Sequence, residues 1–195
     1  MGLLILVTGL VLFLGMHAVR IPDEQRRAGM IARWGKNKYR GIYTAVSIAG
    51  LVLIVYGYGQ ARLDPIFVWS PPAATRHIAA LLMLFSMILL AACYVPMNHI
   101  KARLQHPMTL AVKVWALAHL LSNGTLADIL LFGSFLAWAV LLFKSARKRA
   151  IPMGFSGDGP TQVGTMMTVV VGVLAWLVFA AWLHVQLIGV SPFSR

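Results

Sequence analysis

The chain has 195 residues, 59% hydrophobic and 11% charged, with a mean hydropathy of +0.79 and a formal net charge of +12. A soluble domain carries about a quarter charged residues, so this composition excludes an ordinary globular enzyme and predicts an all-α polytopic membrane bundle. The charge does not point to nucleic acid, because the cations sit in short segments between apolar runs. A single cysteine, Cys93, excludes an intrachain disulfide and any CxxC motif.

Six transmembrane spans are predicted, at roughly 2–19, 41–59, 76–96, 107–122, 126–143 and 163–188. The first begins at Gly2 without a basic leader and closes in Gly15-Met16-His17-Ala18-Val19-Arg20 without a small-residue cleavage pattern. It is expected to be a retained helix. Connecting segments are short, so residues 1–195 are expected to form a single transmembrane domain. Of the 17 lysines and arginines, all but Arg62, Arg76 and Arg195 fall in segments 20–40, 97–113 and 144–162. Positive segments stay on the cytoplasmic side, which places both termini on the outer side of the membrane. Asp64-Pro65 and Ser70-Pro71-Pro72 mark an outer loop, Asn123-Gly124 a tight outer turn, and 154–160 a loose inner loop. Tyr56, Tyr58, Trp69, Trp138, Trp176 and Trp182 include candidate interface anchors.

With that orientation the six histidines sort by depth. His17, His99 and His106 fall near the cytoplasmic face; His77, His119 and His184 fall toward the outer face. The span at 107–122 offers only ~24 Å of helix, and it carries Lys113, Trp115 and His119. Polar groups in so short a span need a receiving partner inside the protein or at the interface.

His17 and Arg20 are three apart on one helix face, and His106 and Lys113 are seven apart on another. Two imidazoles at similar depth on different helices are what a macrocycle with two axial nitrogens needs. Haem b would add two anionic propionates, for which Arg20, Lys101, Arg103 and Lys113 are the available cations. The plainer alternative stands beside this one: a histidine at a helix end, next to arginines, sits among headgroups and bonds water. His106-Pro107 also has a purely structural use, since proline at the first helical position is preset in φ. Trp115, His119 and Asn123 share a face at spacings of four, suited to capping the Asn-Gly turn or reaching Asp128. Cys93 and Met97 read as packing residues before soft ligands.

The Gly15–Arg20 hexapeptide, then His106-Pro107, then Leu117-Ala118-His119-Leu120-Leu121-Ser122-Asn123-Gly124, together resemble the NnrU family of membrane proteins. That resemblance implies a link to nitrite and nitric-oxide reduction in denitrification, with a nitrogen-oxide reductase system as partner. The same motifs are similar to those of 15-cis-zeta-carotene isomerases, which implies haem b held by histidines and a polyene substrate. Carried onto this sequence, it implies His17 and His106 as ligands, with His119 and Asn123 as a further motif pair. Gln105 stands where the pattern leads one to expect an arginine before His106-Pro107. A likeness to isoprenylcysteine carboxyl methyltransferases is confined to the helix start at His106-Pro107. Their later acidic pair has no counterpart here, where only Asp158 follows Asp128.

Two functional classes follow. One is a haem-carrying membrane protein, a partner of nitrogen-oxide reductases or a cis-trans isomerase of a polyene. The other is a cofactor-free membrane accessory or assembly protein. Transport fits neither, because the spans hold no carboxylate beyond Asp128 at a helix start.

Overall fold

A computed structural model describes residues 1–22, 24–149 and 159–193; for Glu24 it describes the backbone alone. The inner loop expected at 154–160 lies outside the described residues up to 158, as does Arg195. The described chain is helical: α1 (Gly2–Ala18), α2 (Glu24–Trp34), α3 (Lys36–Ala61), α4 (Ala74–Tyr94), α5 (His99–Leu104), α6 (Pro107–Ser122), α7 (Leu126–Arg147), α8 (Gln162–Val178) and α9 (His184–Ile188). A π-helical turn over Phe179–Leu183 joins α8 to α9.

Four of these helices are long and apolar enough to cross a membrane: α3, α4, α7 and the continuous stretch Gln162–Ile188. Helices α1 and α6, with 17 and 16 residues, are apolar but shorter, about 24–26 Å at ~1.5 Å per residue. Every predicted span therefore appears as a helix. The sequence missed α2, which occupies the basic segment expected to be a loop. Its Arg27, Met30 and Ile31 are half-buried while Gln25, Arg26, Ala28, Gly29, Ala32 and Arg33 are exposed, the pattern of a helix lying along a surface. Gly35, at φ +80°, turns the chain directly from α2 into α3.

Inside and outside are inverted relative to a soluble bundle. The buried positions are mostly small, among them Ala79, Ala92, Ala111, Ala116, Ala118 and Ala139, whereas Val52, Val55, Leu81, Val170 and Leu174 are exposed. Close packing through small residues with large apolar side chains turned outward is how helices associate in lipid.

The chain divides into two compact units, Met1–Ser70 with Asn123–Lys148, and Pro71–Ser122 with Arg149–Arg195. In the first, α1 lies antiparallel on α3, with Gly2 against Ala61, Leu6 against Gly57, Gly9 against Ile54 and Phe13 against Gly50. A Cβ added at Gly9 would stand 2.6 Å from the Ile54 nitrogen, and one at Gly50 2.7 Å from the Phe13 nitrogen. Such contacts explain why these positions have no side chain. Helix α7 packs along α1 and α3. It starts with a capping box, in which Thr125 Oγ1 accepts from the Asp128 amide while the Asp128 carboxylate accepts from the Thr125 amide. The outer segment is tied to it: Val68 and Trp69 amides donate to the Gly124 carbonyl, and the Leu126 amide donates to Ile66.

In the second unit α4 packs on α6 and on α8. The Ser86 hydroxyl donates to the Ala111 carbonyl of α6 at 2.9 Å, and Gly172 of α8 lies against Ile88 of α4. Asn98 is fully buried between α4 and α5: its amide donates to the Ala92 and Val95 carbonyls and its oxygen caps the Lys101 amide. The Thr161 amide donates to the carbonyl of Met97, itself at φ +50°, which pins the start of α8 beside this knot.

Candidate functional site

His17 occupies the last turn of α1, half-buried, within the first unit. Its ring stacks on Phe13 at 4.3 Å between centroids, lies 5.2 Å from Tyr43 of α3, and meets Trp138 of α7 edge-on at 6.1 Å. Nδ1 is 2.7 Å from the Phe13 carbonyl oxygen. A carbonyl only accepts, so Nδ1 carries a proton, and in the neutral ring the lone pair is then on Nε2. That tautomer, with one nitrogen held by a backbone carbonyl, is the one a metal-ligating imidazole uses. Two buried polar atoms border the same region without a hydrogen-bond partner among the described residues. They are the Trp138 indole nitrogen and the hydroxyl of Ser47, which the α1–α3 register sets level with Met16. Arg20 follows one turn later and is exposed.

His106 belongs to the second unit and starts α6. Its amide donates to the Leu104 carbonyl at 2.6 Å, and its own carbonyl accepts from the Thr109 hydroxyl and the Leu110 amide. Gln105 before it takes φ +60°, and Pro107 fills the first helical position, as its preset φ favours. The imidazole is half-buried and its Nε2 is enclosed by protein. Of the cations expected near it, Arg103 is exposed on α5 and Lys113 is half-buried on α6. Lys101 is engaged otherwise: its ammonium donates to the Cys93 carbonyl at the end of α4. Cys93 behaves as the packing residue expected, half-buried with its thiol directed to the Leu89 carbonyl.

His119 does share a face with Trp115, their rings 5.3 Å apart, and its Nδ1 bonds the Trp115 carbonyl at 2.9 Å. Asn123 falls in the first unit and precedes the loop clamp described above. Asp128 takes its described hydrogen bonds from Tyr58 and Thr125, at 2.6–3.0 Å. Tyr58, a candidate interface anchor by sequence, is thus an internal partner of α7. His99 bonds the Thr165 hydroxyl at 2.9 Å, and His184 bonds the Val190 carbonyl at 2.6 Å.

The walls around His17 were not assigned from the sequence. Phe13 was legible as the i−4 neighbour of His17, but Tyr43 and Trp138 come from other helices, and Trp138 read as a membrane anchor. Among the described residues no group of three or more His, Cys, Asp or Glu side chains is placed to hold a metal ion. A protein-only metal cage is therefore not what these residues build. The chemistry of His17 fits a macrocyclic iron instead, because such a group asks the protein for only one or two imidazole nitrogens and an apolar surround.

No curated protein and no solved structure matches the chain. The family model described as NnrU protein matches residues 5–192, nearly the whole length and both histidine-bearing helices, so the chain belongs to the NnrU family.

Proposed function

We propose that this NnrU-family protein is an integral protein of the bacterial inner membrane. It binds haem b with His17 as a ligand near the cytoplasmic face, His106 being the second ligand that the family resemblance implies, and serves nitrite and nitric-oxide metabolism. Helices α1 and α6 join the four longer helices as spans, with both termini periplasmic and the basic segments cytoplasmic, as the positive-inside rule directs. The observation that carries the proposal is the setting of His17: Nδ1–H fixed on the Phe13 carbonyl and the ring walled by three aromatic side chains.

When bound, the cofactor would supply one-electron redox chemistry. The chain does the rest. The Phe13 carbonyl holds the imidazole orientation and raises its basicity. Phe13, Tyr43 and Trp138 exclude water from one side of the ring. Arg20, Arg103 and Lys113 are the cations assigned to the propionates.

Absorption of the purified full-length protein tests this reading. A Soret band is expected, with a low-spin spectrum that His17→Ala and His106→Ala each alter. A protein that takes up no haem on reconstitution overturns it; an unchanged spectrum in both variants removes these two residues as ligands.

A further inference from the structure

An open apolar groove of about 450 Å³ runs along the first unit between α1 and α7. Its volume falls within the ~300–1,000 Å³ of ordinary ligand sites. It extends along Val7–Ala18 of α1 and Leu130–Leu141 of α7, so its length is about 17 Å at ~1.5 Å per residue. One membrane leaflet offers about 15 Å of hydrocarbon, so the groove covers the depth of one extended acyl chain. Gly15 forms part of its floor, and a Cβ there would meet no atom within 4 Å. The glycine leaves room that no described side chain claims.

The two ends of the groove differ. Around the Val7 end the lining helices offer no exposed cation. At the Ile21 end the Ser145 hydroxyl donates to the Ile21 carbonyl at 2.8 Å. Just beyond Leu141 on α7 come Lys144 and Lys148, both exposed, and just beyond Ala18 on α1 comes Arg20. Segments 20–40 and 144–148 carry ten lysines and arginines against Asp23 and Glu24. An apolar slot one leaflet deep that opens onto cations complements a molecule with a long chain and an anionic head.

We propose that this groove is a binding site for an anionic glycerophospholipid of the surrounding bilayer. The acyl chain lies along Gly15 between α1 and α7, and the phosphate meets Lys144 and Lys148. The proposal rests on α1 and α7 being membrane spans. Each basic side chain near a membrane surface adds to the attraction for anionic headgroups, so the preference over a zwitterionic lipid of equal chains is about tenfold.

Native mass spectrometry of the full chain in mild detergent, offered equal amounts of dioleoyl phosphatidylglycerol and dioleoyl phosphatidylcholine, reads the site. The expected result is one retained lipid, phosphatidylglycerol by about tenfold. Lys144→Gln with Lys148→Gln brings the two lipids toward parity, and Gly15→Phe, whose Cβ meets no described atom within 4 Å, removes retention of both. Equal retention of the two lipids by the parent protein overturns the proposal. So does a Gly15→Phe protein that holds phosphatidylglycerol as the parent does. The measurement does not read the Soret band, so loss of one reading leaves the other standing.

Discussion

Asp128 is 5% exposed and yet fully provided with donors: the Tyr58 hydroxyl at 2.6 Å, the Thr125 hydroxyl at 2.6 Å and the Thr125 amide at 3.0 Å. A buried carboxylate persists where each lone pair finds a hydrogen, and removing one donor costs about 1–3 kcal/mol. Tyr58→Phe is therefore expected to lower thermal stability in detergent by about that amount without changing any spectrum of a bound cofactor. Asp128→Ala should cost more, because it also removes the cap of α7 and strands the Tyr58 hydroxyl. Gly124 adds a second local constraint. A side chain there would run into the Trp69 carbonyl, so Gly124→Ala is expected to break the clamp between the outer segment and α7. A fall in melting temperature, together with faster proteolysis after Leu63, would record it. The Asn123-Gly124 break was legible as a local pattern, whereas the Thr125 cap was not singled out. The tertiary partners Tyr58 and Trp69 were not legible either, because no spacing rule connects residues more than fifty positions apart.

At the scale of elements, the helices were legible from apolar length alone, and their edges agree with the predicted spans to within a few residues. The interruption at Phe179–Leu183 was not, since a π turn leaves no mark in hydropathy. Nor was the pairing of α1 with α3. Glycines at 9, 50 and 57 are scattered in sequence and align only when the two helices run antiparallel. That alignment yields a sharp expectation: Gly57→Val pushes a branched side chain into the Leu6 backbone and should separate α1 from α3. Because Phe13 and Tyr43 sit on those helices, the same change should disturb the surroundings of His17. Gly59→Val, one turn face away with no atom within 4 Å of its Cβ, should do neither. Cysteine crosslinking between α1 and α3 in a Cys93→Ser background compares the two variants.

For the whole molecule, composition carried the membrane assignment and the basic segments carried the orientation. The surface agrees with the membrane assignment: large apolar side chains such as Val55 and Leu174 are more than half exposed, a cover that water does not favour and lipid does. Reporter fusions at 30, at 66 and at 148 test the proposed topology, with cytoplasmic activity expected at 30 and 148 and periplasmic activity at 66. A reversed pattern would move His17 to the other face. The candidate site was legible only in part for a physical reason. Histidine type and helix position are local, while the protonated nitrogen is set by where a carbonyl happens to lie.

The order of the two units along the polypeptide bears on biogenesis. The first unit is begun by α1–α3 and finished by α7; the second is begun by α4–α6 and finished by α8. A ribosome that has delivered the chain through Ser122 has completed neither. Quality control at the membrane should thus treat nascent chains shorter than about α7 as unfinished throughout, and no single cut yields two self-sufficient halves.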